Sequence, residues 1–351
     1  MKQTRWLDYG LRVLAIVIAL LFTTVVLLLA NANPIEAFKN IIVGSVGSIG
    51  KFSDVMVAWV PLLLATAGVL VTFSAGLWNI GMEGQITLGA IFTTWALRLL
   101  QDSALPPFLS IILGIIAGML GGMLWASLVA LLRIYGGVNE IFGGLGMNFV
   151  ATALTIWLIF GPWKRPGVGS MSGTEQFPET LWLPMFDSSR LSPWSLGVGI
   201  VALLVVFFLL NGTTFGLKLK AVGKNPRSAF MMGIPTTRYM MVAFLLCGAF
   251  AGLAGAMQVT GVYHRLIPSI SSGYGFLGLM VGMLSNYQAI AAGIWTLFFA
   301  ILNIGSIQLP IVMKLDSTLS GVLQGALVLS VLLMEGVRQK MLRKRQGGSH
   351  G

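Results

Sequence analysis

Long apolar runs alternate with short polar or basic stretches along the whole of this 351-residue chain. The first run covers about 14–30, and others follow at about 55–73, 82–100 and 108–132, with a fifth ending near 160. After a polar interval come runs at about 194–210 and 239–260, two more on either side of 285–288, and a last one at about 318–335. Each is of the order of the ~20 residues that a helix needs to cross the hydrocarbon layer. Pro34 marks the start of a short amphipathic helix lying between the first two runs. The pattern predicts an all-α integral membrane fold of about ten transmembrane helices in one domain. Five fall in a first set at about 12–160 and five in a second at about 194–336, with an external segment at 161–193 and a basic tail at 337–351. An odd number per half forces the halves into opposite orientation, so they are expected as two inverted five-helix repeats.

Two of the runs are entered through glycine-broken, polar stretches. In the first, residues 75–90, three glycines (Gly76, Gly81, Gly84) fall among Trp78, Asn79, Glu83 and Gln85. Irregular backbone and polar groups at membrane depth are tolerated only inside protein or beside a water-filled cavity. One reading is therefore a pathway lining; the other is a surface loop in which Glu83 caps the helix that follows it. The second broken stretch, 271–282, contains Tyr274 and Phe276. Paired interruptions at similar points of two halves are the best sequence pointer to a substrate route. Asn139 is expected to cap the fifth helix, with Glu140 in its first turn, while Asn148 lies deeper and needs a buried partner.

Composition fixes the class and removes several alternatives. Hydrophobic residues make up 56% and charged residues 9% of the chain, against the roughly 25% charged of a soluble domain. Glycine pairs four residues apart, such as Gly118/Gly122 and Gly248/Gly252, suit close helix packing in lipid. The net charge of +11 is not a nucleic-acid footprint, because the basic residues cluster between apolar runs. Of the 22 Lys and Arg, 14 fall on the side carrying both termini, which places both ends in the cytoplasm. A cleaved signal peptide is the competing reading of the N-terminus. The lone Cys247 excludes a disulfide framework, and His264 and His350 are too few and too distant for a metal site. Residues 44–51 superficially imitate a phosphate-binding loop, but the spacing is wrong and Phe52 stands where Ser or Thr is required. The polar segment 161–193, rich in proline, is either a docking surface or a plain solvated linker.

The basic segment 211–238 carries the clearest message. Asn225 and Pro226 form a strong helix start, and Gly233 with Pro235 stops the helix about two turns later. So short a helix is not stable alone in water, and Phe230, Met231 and Met232 need a cover. A membrane surface and a groove on a cytosolic partner satisfy that need equally.

Taken together, Asn79-Ile-Gly-Met-Glu-Gly-Gln85, the Val138-Asn-Glu-Ile141 opening, Phe215-Gly-Leu-Lys-Leu-Lys-Ala-Val-Gly-Lys-Asn-Pro226 and Ser272-Gly-Tyr-Gly-Phe276 resemble the permease subunits of ATP-binding-cassette importers. The resemblance covers about 55–335, in the branch serving ribose, branched-chain amino acids and nucleosides, and is strongest to nucleoside or simple-sugar permeases. It implies a prokaryotic inner (plasma) membrane, and a coupling helix at 225–233 docking into a cytosolic ATPase. The residues implied for that contact are Ala221, Gly223, Asn225, Pro226, Ser228, Ala229, Phe230 and Gly233. It also implies a second, homologous permease subunit (a heterodimer) and an external substrate-binding lipoprotein. ATP and Mg would then sit on the ATPase, with no cofactor held by this chain and no catalysis of its own. Trp78, Tyr274 and Phe276 are expected to pass a planar base by stacking, and Asn79, Glu83, Gln85 and Asn148 to meet hydroxyls. The alternative class, an ion-coupled secondary transporter, wants several membrane-embedded acids, and Glu83 is nearly alone. A membrane enzyme would need a converging His, Cys, Asp or Ser constellation, which the sequence lacks.

Overall fold

The computed structural model describes residues 17–18, 21–29, 32–167, 173–186, 189–313 and, further on, 325, 329, 333, 336 and 337. Among these the long elements are all helices: α1 (Leu21–Leu29), α2 (Pro34–Val46), α3 (Ile49–Ser74), α4 (Met82–Leu100), α5 (Pro107–Ile134) and α6 (Glu140–Phe160). They continue as α7 (Pro193–Gly212), α8 (Thr214–Lys224), α9 (Pro226–Met231), α10 (Thr236–Gln258), α11 (Tyr274–Leu284) and α12 (Ala289–Met313). The last expected helix, 318–335, falls almost wholly outside the described residues. The chain divides into two compact units: Met56–Leu297, and a smaller one made of Met1–Val55 with Phe298–Gly351.

In the smaller unit, α2 begins where the sequence puts it. Asn33 caps it by accepting from the Ile35 N–H at 3.0 Å, and Pro34 occupies the first position. Leu27, Ala37 and Ile41 are buried there with Leu302 against them.

The larger unit is held by backbone-close packing of α4, α5 and α10. Gly118 and Gly122 of α5 face Gly248 and Gly252 of α10, and Gly89 of α4 also meets Gly252. A Cβ at Gly89, Gly122, Gly248 or Gly252 would overlap the partner's backbone, and one at Gly118 would strike the Thr93 hydroxyl of α4. Lipid gives no hydrophobic drive for helices to associate, so close van der Waals contact across small residues supplies it. In the same way α11 lies on α3, with Gly278 against Ala65 and Thr66 and Gly282 against Val69 and Phe73.

Six helices among the described residues are long and apolar enough to cross a membrane: α3, α5, α6, α7, α10 with its extension to Tyr263, and α12 as far as Ile307. The bent pair α1 and α2 makes at most a seventh. This is fewer than the pattern of apolar runs suggests, for two physical reasons. The 19-residue α4 carries Glu83, Gln85, Thr87, Thr93, Thr94 and Arg98, and α5 and α10 bury most of it. The other shortfall is α11, whose 11 residues are half a span. Two further elements differ from expectation. The α12 helix continues past Gln308 to Met313, with Pro310 inside it. The basic segment after α7 folds as two helices rather than one, because Thr213 caps α8 by accepting from the Gly216 N–H at 3.1 Å.

The polar segment after α6 is not a loose linker over 173–186. Phe177, Leu181 and Leu183 are buried. Its backbone is laced to the end of α10: Phe177 N–H to His264 O (2.9 Å), Leu183 N–H to Thr260 O (3.0 Å), Thr174 N–H to Leu266 O (2.9 Å). There α10 widens into a π-helical turn, Val259–Tyr263, before His264 adopts a left-handed φ of 55°. Trp182 stacks on the His264 ring, 3.9 Å between centroids and 11° between planes. Burial holds the His264 pKa below its usual value, with Arg190 adding to the effect and the Thr260 carbonyl opposing it.

Candidate translocation and coupling site

The first broken stretch begins where α3 ends. Gly76 takes a φ of 73°, a left-handed conformation that glycine adopts without a steric penalty, and the chain turns there. Between Ser74 and Met82 the helical ladder is lost, so the buried backbone groups need other partners. Side chains of α6 and its cap region supply them. Asn148 accepts from the Gly84 N–H at 2.8 Å and donates to the Ile80 carbonyl at 2.9 Å. Glu140 accepts from the Trp78 N–H at 3.4 Å and pairs with the Arg133 guanidinium at 3.0 Å. Gly84 has no room for a side chain, because Trp125 and Asn148 already occupy the space.

Asn79 and Gln85 are wholly buried and bond reciprocally, each amide donating to the other at 3.0 Å. The Asn79 amide also reaches the Cys247 sulfur of α10 at 3.0 Å. These amides brace the break internally.

Glu83 joins the two broken stretches. It sits buried in the first turn of α4, but its carboxylate reaches across to the start of α11 and accepts from the Phe276 N–H at 3.0 Å. Gly275 lies directly against the same carboxylate. The first N–H groups of any helix lack intrahelical partners, and a carboxylate there is favoured by both hydrogen bonding and the helix dipole. Glu83 is thus a cap, but for a helix 193 residues further on rather than for its own. Gly275 permits the approach, since a Cβ there would press on the Glu83 carboxylate and backbone.

Among the seven residues of the expected pathway, Asn79, Glu83, Gln85, Asn148 and Tyr274 are buried. Only Trp78 (39% exposed) and Phe276 (40%) present open faces, one on each broken stretch. Phe73 meets Trp78 edge to face, with 5.3 Å between centroids, and meets Tyr287 likewise at 5.2 Å.

The same break touches the basic segment. Gly223, in the last turn of α8, lies against the backbone of Ser74, Ala75 and Gly76, and a Cβ on either Gly76 or Gly223 would collide with the other strand of chain. Ala221 lies one turn from the end of the same helix and is half-buried. Asn225 then caps α9, its side chain accepting from the Arg227 and Ser228 N–H groups at 3.1 and 3.0 Å, with Pro226 at the first position. The exposed Gly233, at φ 81°, ends the helix. Ser228 is exposed, Ala229 points inward at 2% exposure, and Phe230, Met231 and Met232 stand out at 68–80%.

The sequence does not reveal the cross-links that organise these parts. Glu140 is legible as a residue in a helix's first turn, yet its bonds run to Trp78 and Arg133. Cys247 reads as a packing residue but receives the Asn79 amide. Their signal, a polar group in an apolar run, is visible without its partner. Among the described residues no three His, Cys, Asp or Glu side chains gather closely enough for a metal ion.

A family model described as branched-chain amino acid transport system / permease component matches residues 51–332. The glucose ABC transporter permease protein TsgB13 of Haloferax volcanii is 30% identical over 94% of this chain and 88% of its own length. The guanosine ABC transporter permease protein NupP of Bacillus subtilis is 24% identical, covering 96% of this chain and 97% of its own. The nucleoside ABC transporter permease protein NupB of Lactococcus lactis is 26% identical, over 84% of this chain and 82% of its own.

Proposed function

This chain belongs to the family of branched-chain amino acid transport system permease components, and we propose from that premise that its cargo is a nucleoside. It is a multi-pass membrane protein, the permease subunit of an ATP-binding-cassette importer, and ATP is hydrolysed on a separate subunit. The observation that carries the nucleoside reading is the pair of half-exposed rings, Trp78 and Phe276, one on each broken stretch beside the Glu83 junction. Aromatic faces hold a flat base weakly by stacking, and a pathway needs contacts that let go. Two relatives named for guanosine and nucleosides support it. A simple sugar is the second reading, favoured by the relative named for glucose.

In this proposal the buried Asn79, Glu83, Gln85, Asn148 and Tyr274 keep the pathway wall in shape rather than meet the cargo. The chain crosses about ten times in two inverted five-helix repeats, with both termini in the cytoplasm. The surface around α9 docks into the ATPase, where Mg and ATP reside, through Ser228 and Phe230 with the neighbouring methionines. Asn225, Pro226 and Gly233 shape that helix, Ala229 anchors it inward, and Ala221 and Gly223 transmit its movement to the break at Gly76. A second, homologous permease completes a heterodimer, and a substrate-binding lipoprotein delivers cargo from outside.

Reconstitution with the ATPase and binding protein in vesicles tests the cargo. ATP-dependent uptake of labelled guanosine or adenosine, unaffected by excess ribose or glucose, is expected. Uptake of the sugars alone would reject the nucleoside assignment. Separately, Phe230→Asp with Met231→Asp should abolish co-purification of the ATPase, and its persistence would reject the docking surface.

A further inference from the structure

Where α3 and α7 end and α12 begins, the larger unit forms an open cavity of about 880 Å³. Phe73 and Ser74 line it from the last turn of α3, and Phe207 and Asn211 from the end of α7. Ala289 and Ile290 line it from the first turn of α12. All three helices are long and apolar enough to cross the membrane, and the ends of such helices lie where hydrocarbon gives way to headgroups. The cavity is therefore at headgroup depth, a placement independent of which side is the cytoplasm.

Its remaining wall is cationic. Lys220 and Lys224, four apart on α8 and so on one face, both line it. The Lys220 ammonium donates to the neutral Asn211 carbonyl at 3.0 Å. No acid lines the cavity, and among the described residues neither lysine has an ion-pair partner. The turn of Asn286, Tyr287 and Gln288 adds uncharged polar groups at the back. At the mouth, Leu217 and Ile290 are 71% and 66% exposed. A soluble anion would use the lysines but gain nothing from that apolar lip. A neutral lipid would use the lip and leave two cations uncompensated. A negatively charged phospholipid satisfies both, as basic pockets between membrane helices commonly do.

We propose that this cavity binds the phosphate headgroup of an anionic phospholipid, whose acyl chains lie across Leu217 and Ile290. Because α8 runs straight into α9, an occupied cavity also steadies the base on which α9 stands.

Native mass spectrometry of the full chain, purified in detergent and offered phosphatidylglycerol and phosphatidylcholine in equal amounts, tests this. Retention of phosphatidylglycerol over phosphatidylcholine is expected. At about 1 kcal/mol for each basic residue near an anionic surface, Lys220→Gln or Lys224→Gln should weaken retention about fivefold, and the pair more than tenfold. Lys220→Arg with Lys224→Arg should restore it, and Lys218→Gln, on the same helix but outside the cavity, should leave it unchanged. Glycerol 3-phosphate should not displace the lipid. Equal retention of the two lipids, or equal loss in Lys218→Gln, would overturn the proposal. Displacement by glycerol 3-phosphate would overturn the lipid in favour of a soluble phosphate. Should the double glutamine variant misfold, the wild-type lipid preference and the arginine pair still decide.

Discussion

Glu83 shows what one carboxylate can do when no cation is near. Its partner is the backbone N–H of Phe276 at the start of α11, and the same bond holds two broken stretches of chain together. Glu83→Ala leaves that donor without its acceptor, at a cost of about 1–3 kcal/mol. Glu83→Gln keeps an acceptor and should lose less. The unfolding temperature should therefore fall in the order wild type, Gln, Ala, with uptake falling alongside; an alanine variant as stable as wild type would remove the cap from the account. Asn148→Ala should cost a similar amount, since it orphans both Gly84 N–H and Ile80 O. His264 sits outside the spans and yields a pH effect. Its pKa is held below the usual value by burial, so the folded state favours the neutral ring. Below the unfolded value of about 6.5, the unfolded chain binds more protons, and stability declines as pH falls. Unfolding temperatures of wild type and His264→Gln should converge on acidification below that point, the variant losing the decline that titration of the ring causes. The sequence shows each of these polar residues plainly, but not its partner. Glu83 and Phe276 are 193 positions apart, and nothing local to either betrays the other.

At the scale of elements, helix ends were easier to read than helix neighbours. The α9 start is legible because Asn and Pro act through their own backbone, within three residues. The α8 helix is not, because its glycines, Gly216 and Gly223, look like loop residues. They are glycines for a different reason: Gly216 lies on the end of α7 and Gly223 on the break after α3. The spans α5 and α10 announce their glycine faces four residues apart, though not that these faces meet. Two predictions belong here. Asn225→Ala removes the cap from a six-residue helix, costing about 1 kcal/mol, and Asn225→Asp should keep it. Binding of the ATPase measured by co-purification should weaken in Ala and survive in Asp. Gly223→Val should push α8 off Gly76 while leaving α9 exposed. The expected signature is ATP hydrolysis without matching uptake, and a variant that retains full uptake would show that the contact transmits nothing.

For the molecule as a whole, one helix settles which parts share a face of the membrane. With its π-turn, α10 extends over 28 residues, about 42 Å at 1.5 Å per residue, enough to cross the bilayer. Immediately before it stands α9 with its exposed Phe230 and Met231; onto its far end the segment 173–183 is laced by backbone hydrogen bonds. These two surfaces must therefore lie on opposite sides, whatever the total number of crossings. In the proposed orientation, the excess of Lys and Arg around α8 and α9 puts that side in the cytoplasm and the Trp182–His264 surface outside, facing the proposed binding protein. The chain offers a clean way to check, because its one cysteine, Cys247, is fully buried. In a Cys247→Ala background, Met231→Cys should react with a membrane-impermeant maleimide only in inverted vesicles or opened cells. Glu179→Cys, in the single helical turn Glu179–Leu181, should react in intact cells. Labelling of both from one side would break the link between α10 and the bilayer. Opposite labelling with the sides exchanged would keep the span, reverse the orientation and reject α9 as the proposed ATPase-docking surface, since it would then face away from the cytoplasm.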